Sequence, residues 1–154
     1  MADIVFLVVD GLNLIRRIEA ASTRGAQGSV DELASRVRAS LQRAIDDTGA
    51  THALFVVDAT GACWRHRLHP AYKSKRPPMP SGLVEALPEI EKAIEALGVP
   101  ICRVPDVEAD DVIASIAQGL SGRNATRIVV LSTDRVMLSL LPLGWNQRLA
   151  VSYT

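Results

Sequence analysis

The sequence predicts an α/β fold: a central, mostly parallel sheet flanked by helices in a three-layer arrangement. Two observations carry this. Short apolar runs the length of buried strands recur at Ile4–Val9, Ala53–Val57, Val99–Val104 and Ile128–Leu131. Between them lie longer segments whose apolar residues repeat at helical spacing. Strands alternating with helices require right-handed crossovers onto a parallel sheet, and strands covered on both faces read as continuous rather than alternating apolar runs.

The first run ends at Asp10-Gly11. Ser29, with Glu32 three residues later, forms the start signal of a capping box. Val30, Leu33, Ala34, Val37, Leu41, Ala44 and Ile45 then mark one helix face. Ala53–Val57 ends at Asp58, and residues 59 to 80 are proline-rich and basic, which predicts a surface excursion with one short helical turn near Tyr72. A helix follows from Ser81 to Leu97, with Leu83, Leu87, Ile90, Ala93, Ile94 and Leu97 inward and Gly98 ending it as a C′ residue. After the Val99–Val104 strand, Val107 to Leu120 reads as a helix that opens with acids. The Gly122-Arg123-Asn124 loop and the Ile128–Leu131 strand lead into Ser132-Thr133-Asp134. No internal repeat or linker divides the 154 residues, and one domain of this length can bury a core.

Composition excludes several classes. With 48% apolar and 22% charged residues the chain is neither disordered nor fibrous. No apolar run approaches the roughly 20 residues that span a bilayer. The N-terminus lacks a basic region and cleavage site, so it reads as a strand, and a cytoplasmic location is expected. Cys63 and Cys102 lack zinc-site spacing and are read as reduced thiols. Net charge is zero, yet charge is locally polarised. No acid occurs between Asp58 and Glu85, whereas Arg65, Arg67, Lys73, Lys75 and Arg76 all fall there. Such a stretch suits a phosphate backbone, and otherwise is simply a solvated loop.

The acids collect elsewhere. Asp10, Asp58 and Asp134 each follow a predicted strand, and Glu108, Asp110 and Asp111 open the helix beyond Val104. Ligands of open parallel sheets bind at the carboxyl ends of the strands. Any one of these residues alone is as well explained as a turn former, an N-cap or a complement to the helix dipole. Four segments sending acids to one edge point instead to a cation, because clustered carboxylates repel. Hard oxygen ligands suit Mg²⁺ or Mn²⁺.

Taken together, Asp10-Gly-Leu-Asn13, Glu108-Ala-Asp110-Asp111 and Ser132-Thr-Asp134 resemble the 5′-nuclease superfamily. Asp10 to Ile18, Trp64-Arg-His-Arg-Leu68 and Tyr72-Lys-Ser-Lys-Arg-Pro-Pro-Met-Pro80 look most similar to the short bacterial exonuclease IX-like flap endonucleases. The resemblance spans nearly the whole chain. It implies a PIN-like domain that hydrolyses DNA as a 5′-3′ exonuclease or structure-specific flap endonuclease, using Mg²⁺ with Mn²⁺ as substitute. The implied substrate is DNA with a 5′ flap or free 5′ end, and no membrane is involved. By position, Asp10, Asp58, Glu108, Asp110, Asp111 and Asp134 resemble the metal site, with Asp110 most central. Lys73 and Arg76 match basic residues facing the scissile phosphate and count as catalytic with Asp110, Asp10 and Asp58. Asn13, Arg65, Arg67, Tyr72, Lys73, Lys75 and Arg76 make up the implied nucleic-acid contact. Trp64 and Tyr72 offer stacking faces, His66 and His69 possible phosphate contacts.

Two departures from the family stand out. Most members carry an aspartate two positions after the one matched by Asp134, where this chain has Val136. Members also continue into further metal-binding aspartates and a helix-hairpin-helix, which a chain ending at Thr154 does not reach, so residues 1–154 are expected to be the catalytic domain alone. The alternatives are a PIN-type ribonuclease and a catalytically weak nucleic-acid-binding remnant.

Overall fold

The computed structural model describes residues 4–22, 29–121, 126–140 and 149–152. Five parallel strands form one sheet: β1 (Ile4–Asp10), β2 (His52–Val57), β3 (Ile101–Arg103), β4 (Thr126–Leu131) and β5 (Leu149–Ser152). Their order is β3-β2-β1-β4-β5. The chain therefore winds outward from β1 in one direction and, after β3, returns to β1's other side. The switch point falls between β1 and β4, the place where open parallel sheets bind ligands at the carboxyl ends of their strands. Register there is tight: Val9 lies opposite Leu131 across one pair, and Asp10 opposite Val56 across the other.

The helices are α1 (Gly11–Ser22), α2 (Val30–Thr48), α3 (Trp64–Leu68), α4 (Ser81–Glu95) and α5 (Ala109–Ser121), with a 3₁₀ turn at Arg135–Leu140. On one face of the sheet Leu7, Val9, Phe55, Val57, Val129 and Leu131 pack with Leu14, Ile15, Val37, Leu41, Leu83, Ile90 and Ile94. On the other, Val8, Val56, Ile128 and Val130 meet Val112, Ile113 and Ala117 of α5, together with Met137 and Leu140. Successive strand residues point to opposite faces, and both faces are covered. That is why the strands are apolar throughout.

Four expected strands are present, and they differ from expectation at their ends. The third is shorter, Ile101–Arg103, because Val99 and Pro100 serve as the approach to the sheet. Phe55 N–H reaches back to Pro100 O at 3.0 Å. Ser29 caps α2 by accepting Glu32 N–H at 3.2 Å. Gly98, at φ 76°, lies just past α4 and donates to Glu95 O at 2.8 Å. α1 and β5 are additions to the expected elements. α1 lacks the usual separation between strand and helix, since it begins on the residue after β1 ends. Gly11 permits this: a Cβ there would lie 2.4 Å from Phe55 Cε1 and 2.8 Å from Val56 O. The short helical turn expected near Tyr72 lies earlier, as α3, and the chain from Pro70 to Lys75 is a series of turns. The prolines that follow remove the donors a longer helix would need. The Gly122-Arg123-Asn124 loop lies outside the described residues.

Candidate metal and nucleic-acid site

Each strand-end aspartate spends one carboxylate oxygen on a backbone N–H. Asp10 Oδ1 accepts from Asn13 at 3.4 Å in the first turn of α1. Asp58 Oδ1 accepts from Ala109 at 2.7 Å, capping α5 from the end of β2. Asp134 Oδ1 accepts from Val136 at 3.0 Å and starts the 3₁₀ turn. The capping role and the site role thus coexist in the same residues, because each cap uses only part of a carboxylate's acceptor capacity. Asp58's bond sets the position of α5 and, through it, of Asp110.

Asp110 differs. Among the described residues no side chain or backbone N–H donates to it, and its pKa is pushed up to about 6. Burial is the largest cause, followed by the charges of Asp10, Asp134 and Asp58. Asp10, 6% exposed, is also raised, by burial above all, while its hydrogen bonds from Ser132 and Asn13 work the other way. Asp10, Asp58, Asp110 and Asp134 therefore form one electrostatic group drawn from four segments. As these side chains stand, no set of three or more His, Cys, Asp or Glu among the described residues is gathered closely enough to hold an ion. The chemistry of the set nonetheless fits a hard divalent cation: four carboxylates, no thiolate or imidazole, and mutual repulsion that a cation would relieve.

Glu108 and Asp111 face the other way, toward the basic segment. Glu108 is 8% exposed. It accepts from Lys73 Nζ, from Tyr72 OH at 2.9 Å and from Arg65 Nη1 at 2.9 Å. Asp111 accepts from both terminal nitrogens of Arg65, Nη1 at 2.5 Å and Nη2 at 2.6 Å, and from Trp64 Nε1 at 3.2 Å. Burial opposes ionisation of Glu108, but the Lys73 and Tyr72 bonds and the charges of Lys73 and Arg65 outweigh it, so its pKa falls. Asp111 also falls, chiefly through Arg65. Lys73 adopts φ 55°, a left-handed backbone that a non-glycine residue enters only under constraint.

The expected nucleic-acid contacts sort accordingly. Arg65 and Lys73 are engaged with acids, and Arg65 also lies over the Trp64 ring, 4.6 Å from its centre. Arg67 pairs with Asp106, its Nη2 2.6 Å from Oδ2. Lys75 and Arg76 are exposed and make no ion pair among the described residues. Tyr72 has its hydroxyl on Glu108 and its ring edge-on to His66, 5.3 Å between centres. His66 Nδ1 accepts Cys63 N–H at 3.1 Å, and His69 is exposed. Both cysteines are free. Asn13 is turned inward: its Oδ1 accepts from Thr133 N and Oγ1, at 2.9 and 3.0 Å. The sequence reading missed Ser132, whose hydroxyl donates to Asp10 Oδ2 at 2.8 Å. Its place inside Ser132-Thr133-Asp134 was the available signal. No helix among the described residues is long and apolar enough to cross a membrane.

A doubly wound parallel sheet with four aspartates at its switch point and a basic segment beside them defines the PIN-like class of α/β domain. Comparison with known proteins narrows the class. The chain belongs to the 5′-3′ exonuclease, N-terminal resolvase-like domain family, whose model matches residues 5–148. It is 38% identical over 135 residues to "Flap endonuclease Xni" of Shewanella amazonensis, covering 88% of this chain and 52% of that protein. It is 41% identical over 139 residues to the protein of the same name from Pectobacterium atrosepticum, covering 88% and 50%. The chain thus spans about half the length of the curated relatives it matches. The fold is similar to that of the T5 D15 protein co-crystallized with metal ions, at TM-score 0.71 and 22% identity, covering 96% of this chain and 54% of the other. A T5 5′-exonuclease structure with bound divalent zinc gives TM-score 0.67 at 19% identity, with 96% and 54% covered.

Proposed function

We propose that residues 1–154 form the catalytic domain of a Mg²⁺-dependent DNA nuclease of the 5′-3′ exonuclease or flap endonuclease type, for which Mn²⁺ can substitute. The observation that carries this reading is the convergence of Asp10, Asp58, Asp110 and Asp134 at one sheet edge, with Lys73 on the adjoining segment. Family membership and the names of the relatives support it. Asp110, Asp10, Asp58 and Asp134 would hold the cation, while Glu108 and Asp111, on the same helix end, would hold the basic segment beside it. A divalent cation held there would supply Lewis-acid chemistry, lowering the pKa of a water so that a hydroxide nucleophile is available near neutral pH.

The remaining work falls to the chain's own groups. Lys73, fixed by Glu108, would offset charge that develops on the phosphoryl oxygens. Exposed Lys75 and Arg76 would take backbone phosphates of DNA bearing a 5′ flap or a free 5′ end. The rings of Trp64 and Tyr72, held against Asp111 and Glu108, would stack on unpaired bases. The test is incubation with 5′-labelled flap DNA, with Mg²⁺, Mn²⁺ or EDTA. Cleavage that needs the metal and Asp110 supports the reading. Preference for single-stranded RNA would indicate a PIN-type ribonuclease instead, and metal-independent binding without cleavage an inactive remnant.

A further inference from the structure

Ser132 is 2% exposed, a buried hydroxyl in an otherwise apolar strand end. It donates to Asp10 Oδ2 at 2.8 Å and accepts the backbone N–H of Asp134 at 3.1 Å. The directions follow from the partners: the backbone N–H of Asp134 can only donate and the ionised Asp10 carboxylate can only accept, so the hydroxyl's single proton goes to Asp10. One residue along, Thr133 donates through N and Oγ1 to Asn13 Oδ1. The two links tie the segment after β4 to the β1–α1 junction, directly across the switch point. Sheet pairing does not account for them. β1 and β4 are already joined by a six-residue register from Ile4↔Thr126 to Val9↔Leu131, and the links begin where that ladder stops. What they fix is the spacing and aim of two carboxylates.

We propose that Ser132 is a positioning residue for the divalent-cation site, with the Thr133–Asn13 pair as its second latch. The Ser132 hydroxyl holds Asp10 in one rotamer while its oxygen fixes the backbone that carries Asp134, so the two carboxylates that would hold the cation keep a set position relative to each other. Asn13 on this view orients the site rather than touching nucleic acid. The inference rests on the metal-dependent reading above. It follows a general pattern in which groups bonded to metal-binding side chains set affinity without touching the metal.

The experiment is titration of Mn²⁺ against the whole chain, with free Mn²⁺ followed by its paramagnetic resonance signal and folding followed by circular dichroism. Ser132→Ala should weaken Mn²⁺ binding by about ten- to a hundredfold while the protein stays folded. Ser132→Thr, which restores the hydroxyl, should recover most of that loss. Thr133→Val, which removes only the Oγ1 donor, should weaken binding less. Wild-type affinity in both Ser132→Ala and Thr133→Val would overturn the inference and leave the metal site standing. If Ser132→Ala fails to fold, Thr133→Val decides alone by the same criterion. A wild-type chain that binds no Mn²⁺, or binds it unchanged after Asp110→Ala, would overturn the metal reading and the inference with it.

Discussion

Asp110 and Glu108 lie two residues apart at the start of one helix, and burial is the largest influence on both, pressing each toward its neutral form. Their pKa values nevertheless move in opposite directions. Asp110 looks toward the sheet edge, where the charges of Asp10, Asp134 and Asp58 outweigh the opposing charge of Lys73. Glu108 looks toward the segment from Trp64 to Lys73, where Lys73, Tyr72 and Arg65 all donate to it. A helix turns by about 100° per residue, so a separation of two is enough to put adjacent acids in unlike surroundings. One side of α5 is an unneutralised anionic cluster, the other a closed ionic clasp. The first stores repulsion that a cation can relieve. The second already has its cations and uses them to hold the basic segment in place.

The comparison can be broken most decisively at Asp110. Asp110→Ala should lower metal-dependent cleavage of a flap substrate by about a thousandfold or more, since several kcal/mol of metal-derived stabilisation are at stake. Activity at the wild-type level would mean that the cluster is not the reaction centre. On the clasp side, Lys73→Ala should slow cleavage by about a hundredfold at saturating metal, with the Mg²⁺ concentration for half-maximal rate little changed. A large shift in that concentration would make Lys73 part of the metal site.

Stability separates the two sides further. Glu108→Gln leaves Lys73 and Arg65 without their shared anion and should cost about 1–3 kcal/mol in urea denaturation, the side chain being only 10% exposed. Asp110→Asn should do the reverse in EDTA and raise the thermal midpoint at pH 7.5. The sign follows from linkage. Between its ordinary value of 3.8 and the folded value of about 6, Asp110 binds more protons folded than unfolded. Its contribution to stability therefore declines as pH rises through that window. The advantage of Asp110→Asn should vanish below about pH 4 and be complete above about pH 6. An equal difference between the two proteins at all pH values would remove the electrostatic account. The smallest effect belongs to Arg67→Ala. Its pair with Asp106 lies in solvent, and loss of an exposed pair should leave the thermal midpoint unchanged within measurement.

Much of this arrangement was legible in the residues themselves. Continuous apolar runs placed four strands because a parallel sheet buries both faces, and an acid after a strand necessarily lies at its carboxyl end. Ser29 and Gly98 marked helix ends through chemistry local to the chain. What escaped was set by non-local geometry. The start of α1 directly on β1 depends on a missing Cβ at Gly11 that lets Phe55 and Val56 come close. The inward turn of Asn13 depends on Thr133, 120 residues away. The sequence by itself determined which acids reach the sheet edge, since strand ends and helix starts are encoded locally by apolar period and capping chemistry. Only the tertiary structure decided how they divide, with Asp110 among anions and Glu108 and Asp111 among cations. A side chain's ionisation and partners follow from what the fold packs against it, and here those neighbours come from segments dozens of residues distant.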